Sequence, residues 1–292
     1  MDKTMLISII TPTYNREAFL PVAIESVLAQ SYKEFELIIV DDGSTDNSRE
    51  LINAYVDKDP RVKYLYQENQ RQSVARNYAL SIAKGDFICF LDSDNYWPHD
   101  KLEKSLKAFE QHPEADIVYG DCITIDEQGN ELHRNNMRRY SGSIAAFLLK
   151  DNFVSMNTTM TRRRCFNEMG GMSGKRRVAD DYDLWLKFSA RYRFQYIPEF
   201  LAYYRVMENQ ISSNKKLRFE TNEKIILDFL AAFPDAVSEY EKKAGLTAFY
   251  TRKARHYAAS DKKEAYKAIR IALGINPFSL GVWRSFAKIV VS

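Results

Sequence analysis

FELIIVDDGSTDNS, running from Phe35 to Ser48, changes character at its midpoint. Phe35 to Val40 is an apolar, β-branched run of strand length. Asp41-Asp42-Gly43-Ser44 then breaks it with turn chemistry. Ser44, Thr45 and Asp46 offer N-cap oxygens for a helix running to about Tyr55. The same strand–turn–helix unit recurs on both sides. Upstream, Leu6 to Thr11 is a continuous apolar strand, and Pro21 to Gln30 has apolar residues at helical spacing, with Pro21 in a first turn. Downstream, Val62 to Tyr66 is a short strand, Ser73 caps a helix ending near Gly85, and Phe87 to Leu91 is the next strand. Lys101 to Gln111 is helical and Ile117 to Tyr119 returns to the sheet. This alternation predicts an α/β fold with a mostly parallel, doubly wound, twisted sheet flanked by helices. Ligands of such sheets lie beyond the carboxyl ends of the strands.

After residue 120 the rhythm changes. Ile123 to Ile125, the turn Glu127-Gln128-Gly129-Asn130 and the residues after it predict a hairpin. Asp180 to Ala190 is helical, with Leu184, Trp185 and Phe188 on its apolar side. Phe194 to Ile197 and Leu201 to Tyr204 read as two short strands. From about Leu217 the chain is helical. Phe249 to Ala259 and Lys262 to Leu273 form one tetratricopeptide-like pair, present once, so no repeat array is expected. The last helix, Ser279 to Val291, carries Trp283, Phe286, Ile289 and Val290 on one side and Arg284 and Lys288 on another.

Composition sets outer bounds. With 292 residues, 45% hydrophobic and 28% charged, the chain has room for one large α/β domain and a smaller appendage. Cys89, Cys122 and Cys165 show no paired spacing and read as core thiols of a reducing compartment. The N-terminal MDKTMLISIITPTYN reads as a buried strand and not as a signal peptide, and no apolar run is long enough to span a bilayer. The expectation is a cytoplasmic protein. A net charge of +3 is too small to imply nucleic-acid binding. It is unevenly spread: from Lys215 onward there are 15 Lys and Arg against 8 Asp and Glu, which leaves 27 against 31 in the first 214 residues. The basic tail reads either as a solvated helical surface or as one that meets an acidic partner. With its apolar side, the last helix is a candidate for peripheral contact with the inner face of the cell membrane, the alternative being packing on the catalytic part.

Three acidic clusters carry the chemistry: Asp41-Asp42 after the second strand, Asp92-Ser93-Asp94 after Phe87 to Leu91, and Asp180-Asp181-Tyr182-Asp183 opening a helix. Each has an ordinary reading. Asp-Asp-Gly-Ser suits any strand-to-helix turn, Asp-Ser-Asp a solvated turn, and Asp180-Asp181 the positive end of a helix. In a doubly wound sheet, however, the first two meet on one edge, where crowded carboxylates require compensation. A hard divalent cation holding a phosphate ligand provides it. Trp97 reads as a sugar-stacking ring or as local packing beside Pro98. Arg162, Arg163, Arg164, Lys175, Arg176 and Arg177 read as a solvated charge run, or as a field that steers an anionic ligand. The four histidines show no metal-ligand spacing.

The ordered set SIITPTYNR (Ser8 to Arg16), FELIIVDDGSTDNS, SVARNYAL (Ser73 to Leu80), GDFICFLDSDNYWPHDKLE (Gly85 to Glu103), DDYDLWLKF (Asp180 to Phe188) and YYRVMENQIS (Tyr203 to Ser212) resembles the family 2 glycosyltransferases. The likeness covers roughly residues 5 to 215 and implies a GT-A, Rossmann-like fold. It implies a catalytic domain over 1–215, with a nucleotide-binding half to about residue 120 and an acceptor half to 215, followed by a helical extension over 216–292. It also implies an inverting enzyme that moves a sugar from a nucleotide-diphosphate donor, expected to be a UDP-sugar, to an acceptor hydroxyl in cell-surface polysaccharide or glycolipid synthesis. Thr11, Pro12, Tyr14 and Arg16 would line the nucleotide pocket, and Asp42, supported by Asp41, would accept a hydrogen bond from the base. Arg76 would approach the nucleotide or its phosphates, with Asp92 and Ser93 near the ribose. Asp94 would bind Mg²⁺ or Mn²⁺ on the diphosphate, and Asp181 would be the general base. Trp97, Asp180, Asp183 and Arg205 fall to the acceptor side or to supporting positions.

The chain departs from the family pattern at three places. Arg71 stands where members often have glycine, Asp180 where they often have glutamate, and Met207 where a histidine often follows the Tyr-Arg pair. Methionine is a poor ligand for a hard cation. Two other functions are open to the residues. A nucleotidyltransferase would need a glycine- and lysine-rich phosphate loop, which Thr11 to Arg16 lacks. A non-catalytic sugar-nucleotide sensor or scaffold would not need Asp94 and Asp181.

Overall fold

The computed structural model describes residues 4–134, 138–207 and 214–291. β1 (Ile7–Thr13) and β2 (Phe35–Asp41) are buried along their whole length, which is why both read as mostly apolar runs, with the buried Ser8 hydroxyl donating to Glu36 across them. They pair in parallel, Ile7 opposite Phe35 and Thr13 opposite Asp41. β3 (Val62–Tyr66) extends the sheet beyond β2, and β4 (Phe87–Phe90) lies on the far side of β1, both parallel. The crossovers carry α1 (Leu20–Leu28), α2 (Ser48–Val56) and α3 (Gln72–Ile82). Alternate strand residues feed opposite cores. Ile7, Ile9, Leu37 and Ile39 join Leu20 and Leu102 on one face. Ile10, Ile38, Val40 and Phe90 join Ala75, Ala79 and Trp185 on the other.

The second half departs from the simple alternation. After α4 (Lys101–Gln111) come β5 (Ile117–Ile125) and β6 (Glu131–Arg134), the expected hairpin. α5 (Ala145–Leu148), β7 (Met160–Arg162) and α6 (Arg163–Met169) follow. β7 inserts antiparallel between β4 and β5, giving the order β3-β2-β1-β4-β7-β5-β6. Three residues are too few to show any periodicity, so this strand leaves no pattern in the sequence. α7 (Asp180–Ser189) precedes β8 (Phe194–Arg205), which pairs in parallel with β5. The two strands expected at Phe194 and Leu201 are one, bent where its register against β5 shifts between Tyr119 and Cys122.

Four helices close the chain: α8 (Lys215–Ala232), α9 (Glu239–Tyr257), α10 (Lys262–Ile275) and α11 (Leu280–Val291). α9 starts well before the predicted Phe249, behind a reciprocal capping box of Ser238 and Glu241. The core containing Trp185 and Phe188 runs without a break into Phe249, Ala254, Ile269, Val282 and Ile289. α11 therefore packs its Val282 and Ile289 inward and leaves Phe278, Leu280 and Trp283 exposed nearby. None of the described helices is long and apolar enough to cross a membrane.

Candidate functional site

The parallel strands β1, β2 and β4 all run toward one edge of the sheet, and the loops beyond that edge are stitched together by hydrogen bonds. Ser44 Oγ accepts the Asn15 N–H at 3.0 Å, and Asn15 Oδ1 accepts the Thr45 N–H at 2.8 Å. Asp46 accepts N–H groups from Ser48 and Glu17, both at 3.0 Å, but the N-cap position of α2 is Asn47 and no side chain caps the helix, so the cap expected of Ser44, Thr45 or Asp46 is not formed. Gly43 sits at φ +82, and a Cβ there would lie 2.9 Å from the backbone nitrogen of Asn69. Glycine is thus required twice over in the Asp-Asp-Gly-Ser turn.

Asp41 and Asp42 are both buried and do different things. Asp41 holds its own turn, accepting the Ser44 N–H at 2.8 Å and the Tyr64 hydroxyl at 3.1 Å. Asp42 Oδ1 accepts the Gln67 amide at 2.6 Å and the Gln70 N–H at 2.8 Å, fixing the segment that leads to Arg71 and α3.

The second and third clusters meet on one guanidinium. Arg76, buried on α3, donates to Asp92 with Nη2 and to Asp180 with Nη1, the latter at 2.6 Å. Burial alone would pull the Arg76 pKa down, but Asp180 and Asp92 hold it above its ordinary value. Asp180 also accepts from Gln72 at 3.1 Å and from the Ser73 hydroxyl at 3.0 Å. Ser73 is therefore not the cap of α3: no side chain caps that helix, and the serine instead ties its first turn to α7. Arg76 itself is committed to these two carboxylates, and not to an open phosphate position.

Asp181, next in the chain, is half-buried. Its Oδ2 accepts from Asn152 Nδ2 at 3.1 Å and its Oδ1 from the Tyr182 N–H at 2.8 Å. Desolvation, and then the charge of Asp180, push its pKa up to about 6, against the Tyr182 N–H, Arg76 and Arg218. Asp94 is also pushed up to about 6, by desolvation and then by Asp92, with Arg16 and Arg205 opposing. Arg16 Nε lies 3.6 Å from Asp94 Oδ2, linking the loop after β1 to the second cluster. Arg205, from the end of β8, braces the Asp94 loop by donating to the Asp94 carbonyl at 3.0 Å, while its own N–H donates to Asn95 Oδ1 at 2.7 Å. Ser93 is buried within the same turn.

No three His, Cys, Asp or Glu side chains among the described residues form a ready-made metal cage. Asp94 suits a different arrangement. Its largely enclosed carboxylate, 17% exposed, is held at a raised pKa by desolvation and by the neighbouring Asp92. One carboxylate completed by phosphate oxygens and water is an ordinary magnesium shell. The residues present thus fit a divalent cation that arrives with a diphosphate.

Several sequence expectations change. Thr11 and Pro12 are not loop residues but the buried end of β1, opposite Ile39 and Val40. β4 pairs with β1 only as far as Ile10, so Pro12, lacking an N–H, sits where that side of β1 has no ladder partner. Beyond them Tyr14 is exposed and Arg16 half-buried. Trp97 is 3% exposed and cannot stack on a sugar. Its indole N–H donates to the Asn157 carbonyl at 2.8 Å, and the Lys101 ammonium sits 4.0 Å from its ring centroid. Arg162 and Arg163 are half-buried and donate to Ala115 O and Gly85 O, while Arg164 is exposed and donates to the buried Asp116. Asp183 lies 3.6 Å from Arg176. Residues 208–212 of the Tyr203 to Ser212 motif lie outside the described residues.

Two asparagines escaped sequence reading. Asn157 is buried and grips Asp92 from both sides, accepting its N–H at 2.8 Å and donating to Oδ2 at 2.9 Å. Asn152 supports Asp181. Their one signal was two amides within Asn152 to Met160, a stretch without a charged residue. Backbone strain concentrates here as well. Among the described residues, the non-glycine residues with positive φ are Asn15 (φ 51), Arg71 (φ 76) and Ala179 (φ 59), directly preceding the Arg16, α3 and Asp180 segments.

Comparison with known proteins bears on the family and the fold. The family described as Glycosyl transferase family 2 matches residues 8–181. An uncharacterized glycosyltransferase of Haemophilus influenzae is 48% identical over 128 residues, 44% of this chain and 51% of that protein, so the match spans about half of that relative. The putative teichuronic acid biosynthesis glycosyltransferase TuaG of Bacillus subtilis is 35% identical over 216 residues, 72% of this chain and 82% of the relative. The crystal structure of S. aureus TarS 1–349 in complex with UDP-GlcNAc has a TM-score of 0.74 at 20% identity, covering 98% of this chain and 89% of that one. At that identity the likeness speaks for the fold.

Proposed function

The chain belongs to glycosyl transferase family 2, with a GT-A fold, and from that premise we propose that it transfers a sugar from a UDP-sugar to an acceptor hydroxyl with inversion at the anomeric carbon. The observation that carries this reading is the Arg76 bridge. One buried guanidinium holds both Asp92, two residues before the candidate metal ligand Asp94, and Asp180, one residue before the candidate base Asp181. A diphosphate at Asp94 and an acceptor at Asp181 would then lie to either side of a shared, rigid element.

The chemistry divides between these residues. Asp42 presents its second carboxylate oxygen to the base, its first being occupied by Gln67 and Gln70. Arg16 stands beside Asp94, where a diphosphate needs positive charge. Asp94, with phosphate oxygens and water, would hold Mg²⁺ or Mn²⁺, which when bound offsets the negative charge that grows on the departing UDP. Asp181 takes the proton of the acceptor hydroxyl as that oxygen attacks the anomeric carbon and the bond from that carbon to the diphosphate oxygen breaks. A carboxylate that titrates near pH 6 is well matched to this task at neutral pH, and such assistance contributes about 10²–10⁴-fold. No covalent sugar–enzyme intermediate is needed, because attack opposite the leaving group inverts the centre directly.

The bond made and the donor used are open to one assay. UDP-GlcNAc, the ligand of the TarS complex, is the first donor to test. The TuaG likeness supports a cell-surface polysaccharide as the acceptor, and the exposed Phe278, Leu280 and Trp283 support peripheral contact with the inner face of the cell membrane. A panel of nucleotide sugars, followed by release of UDP into water or acceptor with Mn²⁺ present, tests the transfer. Turnover of at least one UDP-sugar that Asp181→Asn abolishes is the expected result. Tight UDP binding with no turnover of any donor would favour the sensor reading instead.

A further inference from the structure

A cavity of about 460 Å³ lies between α8, α9 and the turn after α5. Lys215, Arg218, Arg252 and Arg255 line it, with Asp151 as the one acid among the described lining residues. Arg252 meets Asp151 at 2.5 Å, and Arg255 donates to Ser285 at 2.8 Å. The wall therefore carries three more cations than anions and has a volume suited to a sugar-sized ligand. A second feature points inward. Asn222, only 5% exposed, also lines this space, and its Oδ1 has no hydrogen-bond partner. A buried acceptor left unmatched calls for a donor from a ligand, since leaving it bare costs about 1–3 kcal/mol. The cavity wall is also linked to the candidate base through two of its residues. Asp151 is followed by Asn152, whose amide holds Asp181, and the Arg218 charge acts on Asp181 directly.

We propose that this cavity binds a phosphate-bearing polyol or sugar, as the part of the acceptor that lies next to the hydroxyl receiving the new sugar. The inference rests on the sugar-transfer reading. Several guanidinium and ammonium groups around one small volume suit the multiple oxygens of a phosphate group. The Asn222 oxygen then takes a hydroxyl of the attached polyol. A neutral glycan would satisfy Asn222 but leave the cations unanswered.

Isothermal titration of the full chain, saturated with UDP, decides the matter with three probes: glycerol 3-phosphate, glucuronate and glycerol. Glycerol 3-phosphate is expected to bind at least tenfold more tightly than the other two. Lys215→Gln combined with Arg255→Gln should weaken it at least tenfold and leave the UDP titration unchanged. Asn222→Ala should weaken glycerol 3-phosphate but not inorganic phosphate. Should the double variant lose its fold, Lys215→Gln alone, at an exposed position, must still cost threefold or more. Equal affinity for glucuronate, or a double variant that binds as wild type does, overturns the proposal. UDP binding without phosphate binding removes this inference alone, whereas failure to bind UDP removes the transfer reading first.

Discussion

Asp181→Asn should make the protein more stable while stopping its chemistry. In the fold the Asp181 carboxyl rises from 3.8 to about 6, chiefly by desolvation. The folded state therefore holds this proton more tightly than the unfolded chain does. Below pH 4 both states are protonated and nothing distinguishes them. As pH rises from about 4 to about 6 the unfolded chain releases its proton first, and the favourable contribution of the protonated carboxyl is lost. Above about 6 the full cost of burying the ion remains. That rise corresponds to about 3 kcal/mol, at ~1.36 kcal/mol for each tenfold gain in proton affinity. The carboxylate is half-buried, not sealed, so solvent screening lowers this to about 1–2 kcal/mol. Asparagine keeps the shape and removes the charge, so thermal unfolding at pH 7 should shift up by roughly 2–6 °C. At pH 4, where the native group is already neutral, the shift should vanish. Transfer should fall about 10²–10⁴-fold in the same variant, and wild-type turnover should drop about tenfold for each pH unit below about 6. A variant no more stable than wild type at pH 7 would refute the desolvation argument. One that kept full turnover would refute the role of base.

Asp94→Ala should abolish the gain in UDP affinity that Mn²⁺ confers in wild type; identical titrations with and without the ion in both proteins would remove Asp94 as a ligand. Arg76→Lys leaves a point charge where a fork holds two carboxylates, and should lower stability by about 3 kcal/mol or more, read from denaturant midpoints. Ala179→Gly relieves a left-handed residue at the start of α7 and should add roughly 0.5–1 kcal/mol, an effect opposite in sign to a glycine placed inside that helix. Phe278→Ser with Trp283→Ser should reduce co-sedimentation with anionic liposomes roughly tenfold if α11 meets a membrane surface, and unchanged sedimentation would discard that contact.

β1, β2 and β4 were legible because burial on both faces leaves mostly apolar runs rich in isoleucine and valine, as in Ile7 to Ile10 and Leu37 to Val40. Turn chemistry marked their ends, and the acidic clusters stood at those ends. The antiparallel β7 and the short α5 and α6 left no period to read. Side-chain roles were harder still, because they depend on partners far away in the chain. Trp97 looked available for stacking, yet Asn157 O claims its N–H across sixty residues. Ser73 looked like a cap, yet Asp180 claims its hydroxyl from 107 residues away. Asn152 and Asn157 carried no motif at all, since an amide that positions a carboxylate is chosen by geometry and not by spacing.

The unbroken core from Trp185 to Ile289 has a consequence for engineering. Acceptor preference cannot be transplanted between relatives by exchanging the terminal helices as a cassette. A foreign tail would meet the apolar faces of α5 and α7 with the wrong side chains, and Gly245, where a Cβ would fall 2.5 Å from Leu149 Cβ, shows how little slack that seam has. Any chimera that keeps its shape must carry the matching surface of the catalytic half along with the helices it borrows.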